Sequence, residues 1–235
     1  MVTTVASPAS REVWSAALER VAKRKDAWAE VPVERRVRYL RSALERMLRV
    51  APAWVEDACR KRGIDPRSAL AGEEWVAGPA VTLRGIRLMM HALQHGGSPP
   101  LAGEVVERAR GHRVPVFPTG FADRVLYLGM RAEVRLRPGA AATQGAIYRA
   151  KARGERTEGA TTLVLGAGNI SSIAPLDVVT KMFAEDHAVV LKMNPVNDYL
   201  GPHLEESFRD LIEDGFLAVV YGGADAGEYL CADPR

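Results

Sequence analysis

Cysteine is scarce in this sequence. Cys59 and Cys231 are the only two in 235 residues, and they lie far apart. Such a count excludes a disulfide framework and suits buried thiols in a cytoplasmic protein. Long apolar runs are missing too: none approaches the ~20 residues that span a bilayer, so no membrane partner is expected. The opening MVTTVASPASREVW lacks a basic stretch followed by an apolar one, so no secretory signal is expected. Metal-ligand clusters are thin. His91 and His95 share a helix face by spacing, but the glutamate of H-E-x-x-H is absent and no third ligand suggests itself. Glu73 and Glu74 are adjacent, point apart on a helix, and read as solvent-facing.

What is present is ordinary globular composition, 47% hydrophobic and 26% charged. The net charge of +3 hides an asymmetry. Residues 1–160 hold 28 basic against 17 acidic side chains, and residues 161–235 hold 4 against 12. A basic half raises nucleic acid as a partner. In "VERRVRYLRSALERMLRV", however, arginines alternate with acids and apolar positions, as on a solvated helix face, and no nucleic-acid partner is expected. The alternative is that the two halves attract one another or a neighbouring subunit.

The first 95 residues read as helices. Trp14, Ala17, Leu18 and Val21 share one face, and Pro32 separates them from Val37, Leu40, Leu44, Met47 and Leu48. A break falls at Gly63 to Pro66, and a further helix starts near Pro79 and runs through Ile86 and Leu93. The four tryptophans read as packing residues. Residues 96–122, rich in glycine and proline, read as connection. "VLYLGMRAEVRLRP" alternates apolar and polar positions, which predicts one long strand over 124–137 with a wet face, an arm outside the main sheet. Residues 139–160 read as a connection or hairpin return.

From Thr161 the texture changes. "TTLVLG", "AVVLK" and "FLAVVYGG" are short apolar runs without alternation. Between them lie a helix opened by Pro175 and a second capped by Asn197 or Asp198 and stopped by Gly215. This is a parallel β-α-β-α-β unit, one mononucleotide-binding half. The fold class is therefore α/β. Residues 1–122 form an N-terminal helical part, 123–160 a β arm and connecting segment, and 161–235 an incomplete Rossmann-like unit.

The first of these strands runs into Gly166-Ala167-Gly168-Asn169-Ile170-Ser171. Alone, this G-x-G-x-x-S is open to two readings, an approximate dinucleotide fingerprint or a tight strand-to-helix turn. The second strand ends in Lys192, not the usual acid.

With those elements in that order, "LVLGAGNISSIAPLDVVTKMFAEDHAVVLKMNPVNDYLGPHLEESFRDLIEDGFLAVVYGGADAGEYL" resembles the cofactor-binding segment of the aldehyde dehydrogenase superfamily. The resemblance rests on an asparagine after the first strand, a lysine 23 residues later, and glycines after the third strand. It reaches back more loosely to the first helices, with "ERRVRYL", and to the 124–137 strand, which falls at the family's oligomerisation arm. It implies an NAD or NADP cofactor, a small-molecule aldehyde or acyl substrate, and a homo-oligomer. By resemblance, Asn169 is the amide that stabilises the thiohemiacetal oxyanion, a task suited to a neutral donor. Lys192 holds the adenosine ribose, with Asn194 and Pro195 beside it. Gly222 and Gly227 approach the cofactor by backbone, and Gly166 and Gly168 line the nicotinamide side.

The sequence also departs from that pattern. Ala167 and Gly168 stand where a proline and an aromatic are usual. Pro195 replaces a glutamate, removing an acid that would repel a 2′-phosphate, so NADP is expected to bind at least comparably to NAD. Residues 139–160 look like an insertion. The family's nucleophilic cysteine, glutamate base and "TGS" segment would lie beyond Arg235; Cys59 and Cys231 match neither position, and Cys231 reads as a buried helix residue. The expectation is an aldehyde dehydrogenase-like oxidoreductase whose N-terminal, cofactor-binding portion this chain is, inactive alone. The alternatives are a non-catalytic nucleotide-binding or interaction protein and a basic nucleic-acid binder.

Overall fold

The structure, a computed structural model, describes residues 8–107, 111–155 and 158–235. Residues 1–7, which carry half of the stretch read for a secretory signal, lie outside the described residues. So do 108–110 of the expected 96–122 connection and 156–157 of the expected insertion.

Helices α1 (Pro8–Ala22), α2 (Lys25–Ala29) and α3 (Val33–Arg62) come first. Pro32 precedes α3, Glu34 lies in its first turn, and Arg60, Lys61 and Arg62 occupy its last, matching the helix dipole at both ends. A Schellman turn ends it: Gly63 N donates to Arg60 O at 3.3 Å and Ile64 N to Cys59 O at 2.9 Å. Ile64 then packs on the small cluster of Val55, Cys59 and Ala71. Helix α4 (Ala71–Trp75) leads through a kinked turn at Gly78 into α5 (Val81–Gln94). Three of the four tryptophans, Trp14, Trp28 and Trp54, are core residues as expected, while Trp75 is 41% exposed and does not pack in the core. Leu48 is exposed, off the buried face of α3.

The main sheet has strands β3 (Ala160–Leu165), β4 (His187–Lys192) and β5 (Leu217–Val220), parallel and in the order β3-β4-β5. The register places Leu165 beside Lys192 and Lys192 beside Val220. Every residue from Ala188 to Lys192 is buried, so β4 is covered on both faces. Helix α8 (Ile173–Phe183) packs on β3 and β4, and α1 packs on β4 and β5. The second crossover is broken into α9 (Gly201–Ser207) and α10 (Arg209–Glu213), and α3 lies against both. The last helix, α11 (Ala224–Ala232), packs on α1. One core cluster runs from Trp14 to Leu230, so the N-terminal helices and the sheet share it.

The charge asymmetry is resolved inside the chain. Arg46 pairs with Glu206 and Asp210 at 3.0 and 3.1 Å, Arg35 with Asp214 at 3.0 Å, and His203 lies 2.8 Å from Asp57. Arg20 and Arg24 donate to carbonyls at the end of α10. Deeper, the fully buried Arg36 pairs with Asp186 and donates to the carbonyls of Trp28 and Val31.

Four expectations are corrected. The long strand over 124–137 is absent. In its place are β1 (Arg113–Phe117), from the supposed connection, a short helix α6 (Phe121–Leu126), and β2 (Ala132–Arg135), antiparallel to β1. Asp123 holds α6 in place by accepting from Thr119 N and Oγ1 at 3.0 and 2.6 Å and pairing with Arg84, and Gly129, at φ +80°, turns the chain. Phe121, Leu126, Leu128 and Met130 are exposed, so the alternation marks no buried face. The 139–160 segment contains helix α7 (Ala146–Ala152), anchored by buried Tyr148 and by Lys151, which lies 2.7 Å from Asp186. Glu74 is buried, not solvent-facing, and Cys231 is exposed, not buried. Among the described residues no helix is long and apolar enough to cross a membrane.

Candidate nucleotide-binding site

The C-terminal ends of three parallel strands open onto the same end of the sheet, where α/β folds take their ligands. Short hydrophobic runs, each closed by glycine or lysine, bring the loops to this end together. The residues that the resemblance assigned to the oxyanion and the cofactor follow these strands: Gly166, Gly168 and Asn169 after β3, Lys192, Asn194 and Pro195 at and after β4, Gly222 after β5, and Gly227 within α11.

The loop from Gly166 to Ser172 is held from several sides. Gly166 N donates to Lys192 O at 2.9 Å. Asn197 Nδ2 donates to Ala167 O at 2.9 Å, so Asn197 pins this loop and makes no side-chain cap to the turn it precedes. Arg62 Nη2 donates to Asn169 O at 3.1 Å, and Trp54 Nε1 to Ser171 Oγ at 3.4 Å. Arg62 is itself 3.0 Å from the buried Glu74 carboxylate. The Asn169 residue is exposed. Arg62, Glu74, Trp54 and Asn197 carry no local signal of this role, because Arg62 and Trp54 are more than 100 residues from the atoms they bond.

The glycines differ in what they leave open. A Cβ on Gly166 would lie 3.1 Å from Lys192 O, and one on Gly168 would lie 3.1 Å from Asn194 Oδ1. Gly222 sits at φ +144°, and a Cβ there would meet Ala226 at 2.6 Å and Trp14 at 2.9 Å. These three are explained by internal packing of β3, β4 and α1. Gly227 alone of the set faces open space. Asn194 Oδ1 accepts from Val196 N at 3.0 Å, shaping the turn after β4, and Pro195 is exposed.

Lys192 is the unusual group. Its residue is only 7% exposed, yet its ammonium makes no hydrogen bond or ion pair with the described residues. Burial pushes its pKa down, and the negative charge of Asp225, in the first turn of α11, partly offsets that. The stem is covered but the ammonium itself is not sealed, and an open, unpaired cation at the end of a central parallel strand is a place for hydroxyls or phosphate oxygens. A dinucleotide fits this donor and the open face at Gly227.

Neither cysteine has the setting of a nucleophile. Cys59 is buried, and burial followed by the charge of Glu74 pushes its thiol up. Cys231, exposed on α11, is eight residues past the end of the Tyr221–Gly223 loop. The His91 and His95 rings lie with centroids 4.3 Å apart, tilted by 47°, and among the described residues no group of three or more metal-binding side chains gathers.

No family model and no curated protein matches the sequence. Solved structures do match. HpcC from Thermus thermophilus has a TM-score of 0.59 at 14% identity, covering 96% of this chain and 35% of its own. The bifunctional proline utilization A (PutA) protein has a TM-score of 0.58 at 13% identity, covering 100% and 19%. A putative methylmalonate-semialdehyde dehydrogenase from Sinorhizobium meliloti 1021, complexed with NAD, has a TM-score of 0.55 at 15% identity, covering 98% and 37%. The chain thus spans well under half the length of each. Its fold is that of aldehyde dehydrogenase structures over most of its residues.

Proposed function

We propose that the chain holds a nicotinamide dinucleotide as part of an aldehyde dehydrogenase-like oxidoreductase. The observation that carries this is the unpaired Lys192 ammonium, open at the end of β4, in a fold shared with a dehydrogenase solved with NAD. Lys192 grips the adenosine ribose, and the α11 backbone at Gly227 gives the cofactor room. A bound nicotinamide supplies hydride acceptance or donation. Asn169 offers an amide to a carbonyl oxygen as charge develops on it. The loop bearing it is fixed by Arg62, Trp54 and Asn197, so little reorganisation is needed when that charge appears.

The substrate in this reading is a small aldehyde or acyl group attacked by a thiolate that residues 1–235 do not supply. Cys59 is sealed in a cluster and its thiol is held protonated, while Cys231 has no cationic partner among the described residues. The chain by itself is therefore expected not to turn over aldehydes.

Calorimetric titration of the 235-residue chain with NAD+ tests the reading. Saturable one-site binding that Lys192→Ala weakens at least about tenfold, roughly 1.4 kcal/mol, is expected. An absence of binding in chain shown to be folded by circular dichroism would sink it.

A further inference from the structure

Helix α6 is turned inside out. A helix advances about 100° per residue, which puts Phe121 and Val125 on one side and Asp123 on the other. The buried side is the acid: Asp123 accepts from Thr119 and pairs with Arg84 at 3.0 Å. The apolar side faces solvent, with Phe121 82% and Val125 58% exposed. Leu126, Leu128 and Met130 continue it through the turn at Gly129, and Leu128 is 88% exposed. Tyr127 folds back, its ring 5.5 Å from that of Phe117. Five large apolar side chains within residues 121–130 are thus held outward by a polar tether. Single exposed apolar residues are ordinary, whereas a contiguous patch marks a contact surface.

The free charges around the patch are of one sign. Arg124 lies on α6 itself, and Arg131, Arg135 and Arg137 follow the Gly129 turn. All four are exposed, and their side chains make no hydrogen bond or ion pair with the described residues. The two acids of residues 113–137 are both engaged, Asp123 by Arg84 and Glu133 by Arg113 at 3.7 Å. An apolar protrusion flanked by unpaired arginines complements an anionic lipid surface. Phenylalanine and leucine side chains enter the acyl boundary while guanidinium groups stay at the phosphates. A second copy of this chain meeting the patch face to face fits less well, because each arginine would meet its own counterpart. The strand expected as an oligomerisation arm is moreover absent from residues 124–130, where α6 and the Gly129 turn stand instead.

We propose that the protrusion from Phe121 to Met130 is a membrane-surface contact, which inserts Phe121, Leu126 and Leu128 into the edge of a bilayer leaflet and sets the neighbouring arginines on its anionic headgroups. The proposal is independent of the dinucleotide reading given above. It reverses the expectation of no membrane partner, which followed from the lack of a spanning run. A peripheral contact requires no span.

Flotation of the 235-residue chain with lipid vesicles tests it. Vesicles of phosphatidylcholine alone are compared with vesicles in which about a third of the lipid is phosphatidylglycerol. Binding to the anionic vesicles should be at least about tenfold tighter and should weaken as salt rises. The double variant Phe121→Ser/Leu128→Ser should lose at least about tenfold in affinity for them. Arg124→Gln/Arg131→Gln should bring the two vesicle types within about threefold of each other. All four positions are exposed, and circular dichroism confirms that each variant folds. The unaltered chain failing to float with anionic vesicles overturns the proposal. So does flotation unchanged by Phe121→Ser/Leu128→Ser, or an anionic preference unchanged by Arg124→Gln/Arg131→Gln. A dimer seen by light scattering that Leu128→Ser dissolves would give the face to a second copy, and overturns it as well.

Discussion

Arg62 joins Glu74 to Asn169: its guanidinium lies 3.0 Å from one carboxylate oxygen and donates at 3.1 Å to the asparagine's carbonyl. The Schellman turn that ends α3 just after Arg62 places the side chain between them. The two ends are unequal, since the Glu74 side chain is 2% exposed and that of Arg62 is 37% exposed.

That inequality predicts asymmetric mutants. Arg62→Ala strands a buried carboxylate and should cost about 3–5 kcal/mol. Glu74→Gln leaves an arginine able to reach water and should cost under about 2 kcal/mol. Urea denaturation measures both. Equal losses would mean the pair does not hold the loop as described. Faster amide hydrogen exchange at Ile170–Ser172 in Arg62→Ala is the local counterpart.

The Arg36–Asp186 pair is sealed at both ends, with side chains 0% and 4% exposed. Arg36→Met should therefore lose about 3–5 kcal/mol, while Lys151→Met, removing the second and partly exposed partner of Asp186, should lose less. Denaturation midpoints that rank the other way would contradict this.

Asp123 predicts a pH response. Hydrogen bonds from Thr119, then the Arg84 guanidinium, hold its carboxyl down at about 2, below the ordinary 3.8. A depressed carboxylate stabilises fully above its unfolded value and loses that contribution as pH falls through the folded one. The tether of α6 should thus weaken between about pH 4 and 2. Carbon-detected NMR titration of the Asp123 carboxyl reads the midpoint, and Asp123→Asn should show the weakened tether already at about pH 7. A midpoint near the ordinary carboxylate value would refute the assignment.

Two glycines of the site should behave oppositely. Gly222→Ala forces a left-handed strain and a clash with Trp14, and should destabilise by more than about 1 kcal/mol. Gly227→Ala sits in a helix with open space and should stabilise by roughly 0.5–1 kcal/mol. If the cofactor uses that space, the same Gly227→Ala change lowers NAD+ affinity while raising Tm. A stabilised variant with unchanged affinity would remove Gly227 from the site.

These contrasts mark how far the sequence can be read. The three strands of the main sheet, of which β4 is buried throughout, and the apolar faces of α1, α3 and α5 follow from the sequence, because apolar runs and apolar stripes leave a trace in it. The 124–137 segment misleads because alternation records only residue type, whereas Asp123 and Gly129 decide the backbone there through a tether and a turn. Lys192 is visible from its place at a strand end. Arg62 and Glu74 are not, because what gives each its role is a partner delivered by a different element. The Glu73–Glu74 pair shows the cost of arguing locally: adjacency says the two point apart, but not which one points inward.

Trp14 donates to the carbonyl of Tyr221, 207 residues later, at 2.9 Å, and its ring fills the space beside Gly222. Helix α1 is thus seated by a turn that follows β5. The same helix also packs on β4, but its contacts with β5 and the Trp14–Tyr221 bond wait until the last strand of the main sheet has been made. The first helix to be made is thus fully seated only by the last strand, a long-range contact whose loop-closure cost places the docking of its Trp14 end late in refolding.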